Sequence, residues 1–174
     1  VMEVLRKLGR YDLVRVLGKG AMGVVYEGHD PSLGRRVAVK TILRHAAVDP
    51  ETERTYAQRF AQEAKAVARL NHPNIVQVYD YGVEDDVAYL VMEFIDGREL
   101  RSLFESGERL PLAEVARLMG ELLDALDFAH EAGVIHRDVK PANVLLDAQR
   151  RLKLADFGVA RVQDGTQRTQ ADTM

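Results

Sequence analysis

Apolar and polar positions change period several times along this chain, and each change marks an element. Residues 11–17 read as a strand, and Val24-Val25-Tyr26-Glu27 is β-branched and aromatic, so it reads as a second strand. Arg36-Val37-Ala38-Val39-Lys40-Thr41 alternates strictly and predicts a third. Over residues 50–70 the period lengthens: Tyr56, Phe60, Glu63, Val67 and Leu70 recur at spacings of four, three, four and three, which is one face of a helix. A second helical stretch covers residues 111–131, with Pro111 at its start and Gly133 just past its end. Val115, Leu118, Leu122, Leu126 and Ala129 form its apolar stripe.

Between the first two strands lies Leu17-Gly18-Lys19-Gly20-Ala21-Met22-Gly23-Val24-Val25, a G-x-G-x-x-G-x-V pattern. The glycine spacing alone also suits a dinucleotide-binding turn, but that turn leads from a strand into a helix. Here a strand follows, so the glycines belong to a hairpin able to fold over phosphates. Their missing Cβ atoms let backbone N–H groups approach phosphate oxygens. On the third strand Ala38 and Lys40 share a face. A small residue there can lie over a flat base, with the ammonium one step along at the phosphates. Glu63 interrupts the apolar stripe of the 50–70 helix, where a carboxylate is costly unless paired. Lys40 is a cation of the right reach, and an ion pair Lys40–Glu63 is expected.

His136-Arg137-Asp138-Val139-Lys140-Pro141-Ala142-Asn143, followed by Asp156-Phe157-Gly158, adds the chemical half. The two segments supply a carboxylate to orient a hydroxyl, a cation for a moving phosphate, and two oxygen ligands for magnesium. Each piece alone is weak; their conjunction in this order is specific.

With these motifs in order, the chain from about Tyr11 onward resembles the eukaryotic-like serine/threonine protein kinases, and most of all their bacterial members. The resemblance implies an α+β, bilobal fold: residues 1–10 as an extension, a first lobe of antiparallel sheet plus one helix over 11–92, a hinge at 93–97, and an incomplete, mainly helical second lobe over 98–174. It implies ATP and magnesium as cofactors. Asp138 would orient the substrate hydroxyl and take its proton, and Lys140 would neutralise the γ-phosphate. Asn143 and Asp156 would hold the metal. The segment 17–25 would cover the phosphates. Val91-Met92-Glu93-Phe94-Ile95 resembles the strand entering the hinge, with Met92 as gatekeeper and the backbones of Glu93 and Ile95 on adenine. Val25, Ala38 and Leu145 would sandwich the base, with Glu99 near the ribose. Val67, Val78, His136 and Phe157 would stack as a spine between the lobes. Arg137 marks kinases switched on by loop phosphorylation, and Thr166, Thr169 and Thr173 are candidates, with Thr169 and Thr173 favoured. Arg161 is a second candidate cation for the phosphate.

The implied function is transfer of the γ-phosphate to serine or threonine hydroxyls of proteins, the chain itself among them. Two alternatives stand beside it: a non-catalytic nucleotide-binding fragment, and a small-molecule phosphotransferase, which Lys140 and Asp156-Phe157-Gly158 disfavour. The resemblance runs out at Met174, inside the activation segment. Without the remainder of the second lobe, apolar surface on the 111–131 helix is expected to lie uncovered.

Composition changes little. The chain is 47% hydrophobic and 29% charged, the profile of an ordinary globular protein. A net charge of -3 gives no reason to expect nucleic acid. Cysteine is absent, which removes disulfide and thiolate chemistry. No apolar run approaches the ~20 residues of a membrane span, so no membrane contact is expected from this segment and a cytoplasmic location fits, with tethering left to regions outside it. His29, His45, His72 and His130 lack metal-ligand spacing.

Overall fold

The computed structural model describes residues 4–20, 23–43, 50–84 and 87–157. Strands β1 (Arg6–Leu8), β2 (Tyr11–Gly20), β3 (Gly23–Asp30), β4 (Arg35–Leu43), β5 (Val78–Glu84) and β6 (Val87–Glu93) form one antiparallel, six-stranded sheet ordered β1-β2-β3-β4-β6-β5. Helix α1 (Pro50–Ala68) joins β4 to β5 and packs on the sheet. A second lobe holds β7 (Gly97–Glu99), α2 (Leu100–Glu105), α3 (Leu112–Glu131), β8 (Val144–Asp147) and β9 (Leu152–Leu154), with the three short strands paired in the order β7-β8-β9.

The large sheet has an apolar layer on each face because its strands alternate. Leu13, Val37, Val39, Val87, Tyr89 and Val91 bury one set of side chains with Leu8 and Tyr11. Ala38, Ile42, Leu90 and Met92 point the other way, into a larger core shared with α1 and the second lobe. The sheet curls until its two edges meet through side chains. The Gly9 N–H donates to Glu84 at 2.5 Å, and the Tyr11 hydroxyl donates to Asp80 at 2.6 Å. Burial, the bond to Asp80 and the nearby charge of that carboxylate all push the Tyr11 phenol upward, so it stays a donor.

Residues 6–8, set apart as an extension by sequence, pair with β2 (Arg6↔Leu13, Leu8↔Tyr11). Three residues are too few to show a period.

On α1, Phe60, Ala64 and Val67 are buried as the periodicity requires, and Phe60 meets Tyr81 edge-on with ring centroids 6.1 Å apart. The side chain of Tyr56 lies outside the described residues. Helix α3 ends at a left-handed Gly133 (φ 76), whose N–H bonds the His130 carbonyl while Val134 N–H reaches back to Ala129.

The expected stripe of α3 needs one correction. Leu118 and Ala129 are buried and Leu122 and Leu126 pack beside them, but Val115 faces out with Leu112, Met119 and Leu123. The inward turn at that level belongs instead to Glu114 and Glu121. Glu114 accepts from Arg150 Nε at 2.6 Å, and Glu121 accepts the Leu152 N–H at 2.7 Å. These bonds dock α3 on the β8–β9 turn through polar groups.

Two stability outcomes follow from this packing. Phe60→Ala should cost about 3–5 kcal/mol in denaturant unfolding, because it empties a fully buried site. The hydrogen bond from Arg150 holds the Glu114 carboxyl below its ordinary value. Its stabilisation is therefore complete above the unfolded pKa of about 4.3 and is lost as pH falls through the lower folded value. Urea titrations from neutral pH down to about pH 3 should show a shallower acid loss for Arg150→Ala than for the parent; parallel curves would contradict this.

Candidate active site

Three segments of the first lobe and two of the second converge on the cleft between them. The glycine-bearing hairpin is the upper lip. Its strands pair Gly18↔Val25, Lys19↔Val24 and Gly20↔Gly23, with an irregularity between Val16 and Gly18. Ala21 and Met22 lie outside the described residues. The glycines differ in their reasons. Gly23 has φ 150, and a Cβ there would stand 1.8 Å from the Thr41 carbonyl oxygen, so the fold itself demands glycine. A Cβ on Gly18 would meet nothing within 4 Å. The packing leaves that position open, which is what a glycine kept for close approach by a ligand requires.

Beneath the lip, cross-strand register pairs Val25 with Lys40 and Ala38 with Met92. Paired residues share a face. Val25, Ala38, Met92, Ile95 and Leu145 belong to one apolar cluster that spans both lobes. The side chains expected around a base are thus brought together. The Glu93 N–H is committed to the Gln77 carbonyl at 2.8 Å.

Lys40 differs from expectation. Its Nζ lies 2.7 Å from Asp156 Oδ1; the Lys40 side chain is largely withdrawn from water and that of Asp156 is about one-third exposed. Among the described residues, Glu63 makes no ion pair with Lys40. Burial pushes its carboxyl upward, and the positive charges that oppose the shift are Arg137 and Arg59. Glu63, Arg137 and Phe157 line a pocket of about 130 Å³ at the side of α1. The expected Lys40–Glu63 pair is therefore corrected. The cleft ammonium is compensated by the second lobe's carboxylate, and α1's carboxylate looks toward the second lobe's arginine.

The segment from His136 to Asn143 is knotted by short-range bonds. His136 is buried; its Nε2 lies 2.7 Å from the Ala155 carbonyl, and its Nδ1 accepts the Asp138 N–H at 3.2 Å. With Nδ1 accepting, Nε2 carries the proton. The next residue, Arg137, takes a left-handed conformation (φ 68) and is exposed. Asn143, buried at the end of a single 3-10 turn (Pro141–Asn143), donates through Nδ2 to the Asp138 carbonyl at 2.8 Å and to Asp138 Oδ2 at 3.2 Å. Lys140 Nζ sits 3.1 Å from the same carboxylate oxygen. The Ala155 N–H closes the knot on the Asn143 carbonyl at 2.9 Å. Asp156, next in the chain, is held left-handed (φ 59), a conformation uncommon outside glycine.

Among the described residues no cluster of three or more His, Asp and Glu side chains converges on a point. The donor chemistry nevertheless suits magnesium. Both amide hydrogens of Asn143 face Asp138, which leaves its carbonyl oxygen as a neutral ligand, and Asp156 supplies a carboxylate. Magnesium takes hard oxygens from one or two carboxylates and completes its shell with phosphates and water.

The rings of His136 and Phe157 meet at a tilt of 56° with centroids 4.6 Å apart. Val67, Val78 and Phe157 share a small cavity of about 20 Å³ with Lys40, Met92 and Asp156. The four residues expected to stack between the lobes are all buried. Gly158, Arg161, Thr166, Thr169 and Thr173 lie outside the described residues. Sequence reasoning passed over Lys153, whose Nζ reaches both carboxylate oxygens of Glu93 at 3.1 and 3.3 Å. The buried neighbours Leu152 and Leu154 mark it as a strand residue, but nothing local names its partner.

Residues 11–174 match the protein kinase domain family. A probable serine/threonine-protein kinase of Streptomyces coelicolor is 45% identical over 99% of this chain and 26% of its own length. PknA of Mycobacterium tuberculosis is 42% identical over 93% of this chain and 38% of its own length. PrkC of Bacillus subtilis is 38% identical over 95% and 25%. The chain thus spans about a quarter to two-fifths of these relatives. The crystal structure of the Mycobacterium tuberculosis PknI kinase domain superposes with a TM-score of 0.77 at 35% identity, covering 91% of this chain and 64% of that one. The curled sheet with its helix, the knotted loop ending in Asn143 and these relatives together place the chain in the protein kinase family.

Proposed function

We propose that this chain carries the catalytic centre of a bacterial-type serine/threonine kinase and passes the γ-phosphate of magnesium-bound ATP to serine and threonine hydroxyls of proteins, itself included. The observation that carries the reading is the bonded set Asp138–Lys140–Asn143, tied through Ala155 to Asp156 and from there to Lys40. A group that merely stabilised a loop would not need two cations and two carboxylates at the mouth of a glycine-lipped cleft.

In this reading adenine lies between Val25 and Ala38 above and Leu145 below. It faces the Glu93 carbonyl and the Ile95 backbone, with Met92 behind; the Glu93 N–H is already engaged. Backbone N–H groups of the segment 17–25 and the Lys40 ammonium take the phosphates. Asn143 and Asp156 hold magnesium, which when bound neutralises phosphate charge. Asp138 orients the acceptor hydroxyl and receives its proton as the oxygen attacks the γ-phosphorus. The bond to the bridging oxygen breaks and ADP leaves. Lys140, beside Asp138, offsets the charge moving between the two oxygens. Lys40 and Lys140 are each held by a carboxylate of the site itself, so both are in place before phosphate arrives. A phosphate on Thr169 or Thr173 would find Arg137 exposed beside Asp138.

The test is incubation with magnesium and γ-labelled ATP, alone and with a generic protein acceptor. Asp138→Asn should lower transfer by about 10²–10⁴-fold while nucleotide still binds. Label should fall on serine and threonine only, and on the chain at Thr169 or Thr173. Equal labelling in both proteins would sink the assignment of Asp138. Nucleotide binding without transfer would favour a non-catalytic nucleotide-binding part, and label on a small molecule alone would favour a phosphotransferase of that class. Lys40→Met should weaken nucleotide binding by about tenfold or more in calorimetric titration, since one charge-assisted contact to phosphate is lost.

A further inference from the structure

We propose that Lys153, in β9 of the second lobe, is a positioning residue for the nucleotide site: it clamps Glu93 from below and sets the height of the pocket floor against the hinge. The inference rests on the nucleotide-binding reading above.

Three observations converge on it. First, the contact crosses the lobes. Glu93 ends β6 of the large sheet, Lys153 sits in the small sheet, and the ammonium reaches both carboxylate oxygens at 3.1 and 3.3 Å. Second, the pair is largely withdrawn from solvent, with side-chain exposures of 16% for Lys153 and 27% for Glu93. At that depth neither charge is tolerated cheaply without the other. Third, both ends touch the proposed adenine site through covalent or ladder neighbours. Lys153 pairs across the small sheet with Leu145, the floor residue. Glu93 offers its own carbonyl to the base. One ammonium thus couples the floor and the hinge edge of the same slot.

The clamp is braced. Gln77 N–H also donates to Glu93 Oε2 at 3.3 Å, and the Gln77 carbonyl accepts the Glu93 N–H. Gln77 Nε2 holds the Ala68 carbonyl at the end of α1 at 3.1 Å. The same 74–77 stretch is stitched to β9 by Leu154 N–H to the Asn74 carbonyl (2.8 Å), Val76 N–H to the Leu154 carbonyl (2.9 Å) and Asn74 Nδ2 to the Leu152 carbonyl (2.9 Å). Glu93 is therefore fixed in two directions, and Lys153 supplies the one of these contacts that joins it directly to β9, the strand paired with the floor residue Leu145 of β8.

The experiment is titration of the chain with magnesium-ADP and magnesium-ATP, beside Lys153→Met, Lys153→Arg, Glu93→Gln and the Lys153→Met/Glu93→Gln double variant, with thermal unfolding of each. Lys153→Met should weaken nucleotide affinity by about tenfold. It should raise KM for ATP by a similar factor and change kcat by less than about twofold. Lys153→Arg should recover most of the loss, and the double variant should bind no worse than either single one. A purely structural lysine would lower the melting temperature without this split or this rescue. Should Lys153→Met not fold, Lys153→Gln carries the same test, since it keeps a donor and removes the charge. Parental affinity in Lys153→Met or Lys153→Gln would overturn the proposal. So would tighter binding or faster turnover, since the pair would then be restraining the lobes. A parent chain that binds no nucleotide would overturn the functional reading itself, and this inference with it.

Discussion

An ammonium in the cleft between two lobes must be neutralised, and the choice of its partner organises everything around it. Lys40 is withdrawn from water on a strand whose neighbours are apolar, so it cannot stand unpaired there. The sequence pointed to the carboxylate on α1, but Asp156 of the second lobe takes the position at 2.7 Å. That selection ties the large sheet to the loop carrying Asp138 and Asn143, because Asp156 follows the Ala155 peptide that bonds both His136 and Asn143. It also leaves Glu63 in a half-buried setting opposed by Arg137 and Arg59, so α1 faces the second lobe's loop rather than the sheet's lysine.

The large sheet makes this possible by being two-sided. One face closes over Leu13, Val37, Val39 and Val91 in a cluster that, among the described residues, is drawn from the strands of the sheet itself. The other presents Ala38, Lys40 and Met92 to the cleft and shares its core with α1 and the second lobe. Strict alternation in residues 36–41 does both jobs at once: Val37 and Val39 stabilise the lobe, while Ala38 and Lys40 face the cleft.

Most of this was legible in the chain because the signals were local. Strands β2, β3 and β4, both long helices and the end of α3 follow from period and from Gly133, while the strand entering the hinge came with the resemblance. His136, Asp138, Lys140 and Asn143 lie within eight positions, so their meeting was a short-range matter, and Ala155, which closes the knot, follows twelve residues later. What was not legible depended on tertiary choice. The Lys40 partner required knowing which carboxylate lay nearer. Val115 turned outward because Glu114 and Glu121, polar in sequence, found Arg150 and a backbone N–H to bond. Lys153 and Glu93 are sixty positions apart, with no pattern linking them. Strand β1 was too short and too charged to announce itself.

The stitching of residues 74–77 to β9 also bears on how α1 can move. Its last residue, Ala68, is held through Gln77, and the stretch that follows is hydrogen-bonded to the second lobe. The helix is thus fastened at its C-terminal end, while its first turn lies eighteen residues away at Pro50. At 1.5 Å of rise per residue, Glu63 is about 7.5 Å from the fastening and Pro50 about 27 Å. A rigid tilt that shifts Glu63 by about 1 Å therefore swings the Pro50 end by about 3.6 Å. About that fastening the geometry of α1 is a lever's, with Glu63 on the short arm and Pro50 on the long one in the same ratio.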